Sequence, residues 1–245
     1  DEKGTEENKG QWAMIFNETI KSDSNPVDRT EKFMFDGKRL IQHIIKQRYF
    51  EEEISNEVNL SYSDNQVTVT TDYLTSIYTL NSEGYASQCV YSLSSQNRIY
   101  QFSYSAEGYL TGIVENIDDT EYSSTSLTYE NGDITSISSK MNGLENKFIY
   151  EPGEESSTYH LPCLGLLEIH PLTFHIEALY AGLLGKDPRH FTIHSCPAGS
   201  NDENTVYSYG FDKKGNPSRM ICQTTYAGGQ ASYYPYTRNI SVSFE

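Results

Sequence analysis

The feature that most constrains the fold is a hairpin-sized repeat. Each copy has large apolar or aromatic residues at alternate positions, a short polar turn, a glycine, and usually an apolar residue soon after. The copies span residues 33–40, 78–86, 102–110, 127–134 and 207–217. Alternation with period two places side chains on one face of a strand. Glycine supplies the positive φ that a tight turn needs. Each copy therefore predicts one antiparallel β-hairpin.

The spacing of the repeats predicts their arrangement. Gly84, Gly108 and Gly132 follow one another at intervals of 24 residues, which is the length of about two strands and two turns. The chain is therefore expected to form a meandering antiparallel sheet that grows hairpin by hairpin. Residues 239–244 alternate in the same way and predict a final strand.

Residues 37–49 depart from this rhythm. Leu40, Ile41, Ile44 and Ile45 lie at a spacing compatible with a helix. A strand is favoured, because the segment directly follows a hairpin turn and is rich in β-branched residues.

Residues 168–186 predict the strongest helix in the chain. Pro171 suits a first helical turn, and Gly185 suits the position just after a helix. Between them the apolar residues recur at helical spacing: Leu172, Ile176, Leu179, Tyr180 and Leu183. We expect an amphipathic helix over about 171–184 that covers one face of the sheet.

Domain organisation follows from composition. Residues 1–10 are polar and contain few core-forming side chains, which is typical of a flexible tether. The interpretation is a tether over 1–26 and a single β-hairpin-repeat domain over 27–245.

Net charge excludes one class of partner. The chain has 18 Lys and Arg against 34 Asp and Glu, a formal charge of −16. Such a field repels phosphate backbones and anionic lipids, which argues against nucleic-acid binding. Solubility is the favoured interpretation of the charge, and cation binding or a cationic partner is the alternative.

The cysteines and histidines predict no metal site and no cofactor. No Cys-x-x-Cys or His-Glu-x-x-His element occurs in the sequence, and such spacings are typical of zinc sites. Cys163 and Cys196 bracket the predicted helix and are the disulfide to test first, although free buried thiols are favoured. Asp118 and Asp119 lie in an acidic loop, interpreted as solvated, with calcium binding as the alternative.

Catalytic motifs are missing from the sequence, so no catalytic residue is predicted. There is no Gly-x-Ser-x-Gly element and no phosphate-cradling loop. Tyr233, Tyr234 and Tyr236 are the candidate ligand-binding residues, because aromatic side chains on a wet sheet stack on sugars or anchor a partner protein. The alternative is that they pack on the sheet like other tyrosines.

The hairpins, the Ala-Gly-Leu-Leu-Gly-Lys element at 181–186 and the further hairpin after it resemble a known family. This family comprises uncharacterised exported lipoproteins of Bacteroidetes, described as a domain of unknown function with a porin-like fold. The resemblance covers about residues 29–245, and residues 187–191 depart from the pattern. It implies a curved sheet or near-closed barrel with a helix on its concave side. It also implies export to the periplasm or outer-membrane surface, with a lipid anchor upstream of Asp1. It brings no known activity.

The leading hypothesis is a non-catalytic cell-envelope module, binding or structural, whose ligand is a glycan or another envelope protein. One alternative is a hydrolase of polysaccharide or peptide with carboxylates converging in the concave face. Another is a membrane barrel, which needs an outward apolar band on every strand. Ser, Thr, Gln and Asn occupy many of the alternate positions here.

Overall fold

The computed structural model describes residues 10–21, 27–49, 51–93, 96–156, 161–226 and 236–245. These residues contain the following strands: β1 Gln11–Lys21, β2 Val27–Asp36, β3 Arg39–Tyr49, β4 Glu52–Ser63, β5 Gln66–Thr70, β6 Thr75–Leu80, β7 Ala86–Leu93, β8 Gln96–Tyr104, β9 Leu110–Ile117, β10 Thr120–Glu130, β11 Asp133–Met141, β12 Leu144–Pro152, β13 Thr192–Pro197, β14 Glu203–Phe211, β15 Pro217–Tyr226 and β16 Tyr236–Phe244. The predicted mainly β architecture is confirmed, and so is the strand assigned to the isoleucine-rich segment.

The sheet is a closed antiparallel barrel. Each strand pairs with its neighbours in the sequence, and β1 pairs with β16 to close the circle. The closing register joins Met14 to Phe244 and Lys21 to Thr237. A barrel has no open edges, so the row of unpaired backbone groups that a flat sheet would expose is removed.

The closing strand corrects the prediction of a flexible tether over 1–26. Residues 11–21 form β1, while 1–9 and 22–26 lie outside the described residues. Met14 and Phe16 point into the core, and Trp12 stacks on Phe35 with ring centroids 4.2 Å apart. Because residues 1–10 are polar, the predicted tether was extended over the alternating segment that follows them.

The repeat glycines occupy the predicted turns, all with positive φ: Gly37 (57°), Gly84 (84°), Gly108 (92°), Gly132 (87°) and Gly215 (84°). Each turn joins an even-numbered strand to the next odd-numbered one. Because successive strands alternate in direction, all five turns lie at the same end of the barrel. We call this end the glycine rim.

A segment between β12 and β13 fills the interior, and its described part, 161–191, is called the plug. It contains 3₁₀ helices Leu164–Glu168 and Leu172–Phe174 and the α-helix α1, Ile176–Tyr180. Its most deeply buried residues join the side chains from the barrel wall in one hydrophobic core: Leu161, Cys163, Leu164, Leu166, Leu172, Ala178, Tyr180, Leu183, Leu184 and Phe191.

The helix predicted over 171–184 does cover the concave face, but its extent is wrong. Only residues Ile176–Tyr180 are α-helical. His175, at φ −123° and ψ 28°, separates α1 from the preceding 3₁₀ turn. Gly182, with φ 70°, turns the chain away from a helical path before Leu184. Helical spacing of the apolar residues persists across these breaks, so periodicity alone overstates the helix.

Outward-facing side chains on the neighbouring strands β10 and β11 are small and polar. Ser126 pairs with Ser138, and Thr128 pairs with Ser136. The inward pair on the same two strands is Leu127 and Ile137, both buried.

Among the described residues, no helix has the length and apolar character needed to cross a membrane.

Candidate functional site

The plug is fastened to three consecutive glycine turns by main-chain hydrogen bonds. Ala86 N donates to Leu183 O at 2.7 Å, next to the Gly84 turn. Lys186 N donates to Gly108 O at 2.9 Å, and Arg189 N donates to Gly132 O at 3.0 Å. Plug residues three apart thus meet turns 24 residues apart.

Close approach of the two backbones explains why glycine is needed on both sides. A Cβ at Gly132 would lie 2.5 Å from Cδ of Arg189 and 2.6 Å from the Tyr109 hydroxyl. A Cβ at Gly185 would lie 2.7 Å from Gly108 O. The glycines therefore provide both positive φ and the space in which the plug lies against the rim.

These contacts form one side of a groove of about 580 Å³ at the glycine rim. It is called the rim groove, and its lining residues come from two hairpin turns and from the end of the plug: Ser105, Glu107, Tyr109, Thr111, Tyr129, Asn131, Gly132, Lys186 and Arg189. Tyr109 stacks on Tyr129, with ring centroids 5.0 Å apart and an interplanar angle of 29°. The groove therefore combines aromatic faces, neutral hydrogen-bonding groups and charged side chains.

Two cations and one carboxylate line the rim groove. Lys186, Arg189 and Glu107 are all exposed. Arg189 Nη1 donates to Asn131 O at 3.3 Å. Hydrogen bonds from its own backbone and from Ser105, with Lys186 nearby, lower the pKa of Glu107 and keep it ionised. The lining therefore carries a local charge of about +1 in a chain of net charge −16.

Within the barrel, Glu115 is the centre of a buried polar cluster. Its side chain is 0% exposed. Oε2 accepts from His170 Nε2 at 2.5 Å and from Ser123 Oγ at 2.8 Å. Oε1 accepts from Arg98 Nη1 and Tyr100 Oη, both at 3.2 Å. Burial opposes ionisation, but the bonds from His170 and Ser123 outweigh it and lower the pKa of Glu115.

His43 joins the wall to the plug in a second cluster. Its Nδ1 lies 2.7 Å from Glu177 Oε1 on α1, and its Nε2 lies 3.1 Å from Glu31 Oε2 on β2. The ring also stacks on Phe33 at 4.1 Å. Burial favours the neutral ring, yet the two carboxylates prevail and raise the pKa of His43 to about 9. The imidazole is therefore a cation shared by two glutamates.

His175 is the opposite case. Its Nδ1 bonds the Tyr78 hydroxyl at 2.7 Å, and its ring packs edge-on against Tyr100 and Phe102. Burial lowers its pKa to about 3, so the ring is neutral at physiological pH. His175 Nε2 is buried and has no hydrogen-bond partner among the described residues.

The buried clusters hold the plug in place rather than form an open reaction site. Glu115 and His43 are both 0% exposed, so no substrate reaches them in this arrangement. In the described part of the chain, no three His, Cys, Asp or Glu side chains form a group suited to a metal ion.

Comparison with known proteins places the chain in a family. Residues 33–219 match the model of the family described as a domain of unknown function (DUF4595) with porin-like fold. The chain belongs to this family. A crystal structure of a porin-like protein from Bacteroides uniformis is 28% identical, covers 95% of this chain and 96% of its own, and superposes with a TM-score of 0.86. A porin-like protein from Bacteroides vulgatus, at 12% identity, 94% and 97% coverage and a TM-score of 0.57, shows the same fold. No curated protein matches.

In this DUF4595 member, the tyrosines chosen from sequence are not part of the rim groove. Tyr233 and Tyr234 lie outside the described residues. Tyr236 begins β16, which places it at the end of the barrel opposite the glycine rim. Asp118 and Asp119 form the exposed turn between β9 and β10 at that same opposite end, where Asp118 Oδ1 accepts from the backbone of Asn97 at 3.2 Å.

The cysteines and remaining histidines have ordinary partners. All four cysteines are free thiols, so the Cys163–Cys196 pair considered from the sequence is not formed. His190 Nδ1 lies 2.9 Å from Asp133 Oδ2, and His194 Nε2 lies 3.1 Å from Asn204 Oδ1. Neither histidine belongs to a group of three metal-ligating side chains in the described part of this DUF4595 member.

Sequence reasoning missed the residues of the rim groove. The sequence places Tyr109 and Tyr129 in hairpins and Lys186 at the end of the Ala-Gly-Leu-Leu-Gly-Lys element, and neither placement indicates a binding site. The available signal was the departure from the family pattern at 187–191, which contains Arg189. Arg189 lies where the plug crosses the Gly132 turn.

Proposed function

We propose that this protein is a non-catalytic binding module of the cell envelope and that it contacts a glycan through the rim groove. The observation that carries the proposal is the groove itself: a concavity of about 580 Å³ beside the stacked pair Tyr109 and Tyr129. Aromatic faces flanked by hydroxyl and amide groups suit sugar rings, which have apolar faces and polar edges.

The filled interior supports a function at the rim. The plug occupies the concave face that the hydrolase hypothesis requires, and its Glu168 and Glu177 are bonded to Arg238 and His43 of the wall. Glu31 and Glu177 do converge on His43, but the imidazole lies between them and is completely buried. In the rim groove, Glu107 is the one carboxylate among the lining residues, whereas glycosidases generally use two.

The envelope location is part of the proposal. Family membership and the two Bacteroides structures support an envelope-associated protein. Export to the periplasm or outer-membrane surface, with a lipid anchor before Asp1, is the arrangement we propose. Tyr233, Tyr234 and Tyr236 are proposed as a separate contact surface for an envelope protein.

A glycan array probed with the purified protein tests the function, followed by calorimetry on each hit. Tyr109→Ala should weaken binding about fivefold, because an aromatic contact contributes roughly 1 kcal/mol. Tyr73→Ala is the matched control: Tyr73 is 91% exposed and lies between β5 and β6, at the opposite rim. It should leave affinity unchanged.

Two results would overturn the proposal. One is an array on which no glycan binds at high protein concentration. The other is equal loss of binding in Tyr109→Ala and Tyr73→Ala, because that would place the contact away from the rim groove.

A further inference from the structure

We infer that the rim groove selects a carboxylated saccharide, a glycan of the uronic-acid type, and that Lys186 and Arg189 bind its carboxylate. This inference rests on the proposed function and assigns its ligand class. The paired tyrosines would contact the sugar ring, and the two cations at the end of the plug would contact the acid group.

The first support is the state of the two cations. Arg189 uses Nη1 for one bond to the Asn131 carbonyl. A guanidinium carries five N–H donors in a planar fork that matches a carboxylate. Lys186 forms no ion pair within 4.0 Å of a carboxylate in the described ranges, although its charge, after hydrogen bonds from the backbone and Ser105, helps to lower the pKa of Glu107. Both side chains are exposed, so both are accessible to a ligand.

The second support is that both cations are anchored on rigid backbone. Lys186 N is bonded to Gly108 O, and Arg189 N is bonded to Gly132 O. The aliphatic part of Arg189 lies against Gly132 where any larger residue would collide with it. A site held on fixed elements binds with less loss of conformational freedom than one on a free loop.

The third support is the local charge. Two cations and one ionised carboxylate leave about +1 in the groove, which matches a single carboxylate better than a dianionic phosphate. Burial and, after it, the Asp187 carboxylate raise the pKa of Tyr129, but Asp187 does not line the groove. Charges more than about 8 Å away are largely screened at physiological ionic strength. The neutral lining groups Ser105, Thr111 and Asn131 remain for the sugar hydroxyls.

The test compares matched oligosaccharides by calorimetry: one that carries a single galacturonic acid, its methyl ester and a singly sulfated oligosaccharide of the same length. We expect the carboxylated form to bind at least tenfold more tightly than its ester, with an affinity that falls as NaCl is added. Lys186→Gln and Arg189→Gln should each remove about tenfold of that affinity.

The control uses two cations elsewhere on the glycine rim. Lys213 and Lys214 lie in the exposed turn between β14 and β15, so Lys213→Gln and Lys214→Gln change the net charge equally at a different place. They should leave affinity unchanged. Unfolding curves on all four variants verify that each remains folded.

The outcomes separate the two proposals. Equal binding of acid and ester would overturn the carboxylate inference and leave glycan binding intact. Stronger binding of the sulfated form, or equal losses in the Lys213 and Lys214 variants, would also overturn it. Failure of every saccharide to bind would overturn the proposed function itself.

Discussion

Replacing His43 by glutamine removes the cation that Glu31 and Glu177 share. Glutamine keeps a polar side chain of similar size but carries no charge. His43 is 0% exposed and the Glu31 and Glu177 side chains are only 14% and 16% exposed, so water replaces the lost partner poorly. Removing one member of a buried ion pair typically costs about 3–5 kcal/mol, because the remaining charge stays buried. We therefore expect His43→Gln to lower the free energy of unfolding by several kcal/mol at neutral pH.

The pH dependence gives a sharper magnitude. The His43 pKa rises from 6.5 to about 9 on folding, and each pH unit between these values corresponds to about 1.4 kcal/mol. The pKa shift therefore corresponds to about 3 kcal/mol of folding stability. Because the folded pKa is the higher one, this stability is fully present below pH 6.5 and is lost as pH rises through about 9.

Urea unfolding of wild type and His43→Gln between about pH 6 and pH 10 measures this contribution. The difference between the two proteins should be largest at the acidic end and shrink by about 3 kcal/mol toward pH 10. Subtraction removes contributions that both proteins share, such as that of Cys89, whose pKa is raised by burial from 9.0 to about 12 on folding. A difference that stays constant across the range would refute the reasoning.

A double-mutant cycle with Glu177→Gln provides the matched control. If the pair acts as described, the double variant should lose less stability than the two single losses combined, by roughly 1–3 kcal/mol. Losses that simply add would show that His43 acts through Glu31 or its stacking on Phe33 rather than through the plug carboxylate Glu177.

Three further perturbations test other parts of the structure. Leu172→Ala in the plug should cost about 2–5 kcal/mol in urea unfolding, because Leu172 is completely buried, whereas the exposed Thr173→Ala should change stability by less than about 0.5 kcal/mol. Gly132→Ala should lower the free energy of unfolding by about 1–3 kcal/mol more than Gly143→Ala. Both glycines have positive φ, but only an alanine at 132 collides with its neighbours. Equal losses of stability in thermal unfolding would contradict the close contact at Gly132. Glu115→Gln should destabilise most above pH 4.5, since the lowered pKa of Glu115 gives a stability that is lost as pH falls through the folded value; an acid titration followed by circular dichroism should show the two proteins converging.

Hairpins were predictable because their causes are local. Alternation and a glycine turn lie within about ten residues of each other, so no knowledge of distant partners is needed. The turns at Gly84, Gly108 and Gly132 all have the positive φ that the repeat implies. Closure into a barrel was indicated only by the family resemblance, because the pairing of β1 with β16 joins opposite ends of the chain.

The predictions that were wrong concern features that depend on contacts between residues distant in the sequence. The strand at 11–21 is fixed by its pairing with β16, and its polar surroundings gave no local sign of this. A helix over 171–184 overstates the helical part of the plug, because the barrel wall covers the plug on more than one side. Apolar residues are buried there whether or not the backbone is helical, so their spacing loses its meaning as a helix signal.

The rim groove could not be predicted from the sequence, because its lining residues are brought together by the spacing of strands in the barrel. Consecutive glycine turns are two strands apart, or about 9.6 Å at a strand spacing of about 4.8 Å. Three residues of extended chain span at most about 10 Å. A plug segment running along the inside of the rim therefore meets one turn every three residues, as Lys186 and Arg189 do at Gly108 and Gly132. The strand spacing, rather than any local motif, sets the distance between these two cations. An insertion between them would break one of the two main-chain bonds and separate the charges at the same time, so the stability of the plug and the binding chemistry of the groove depend on the same few residues.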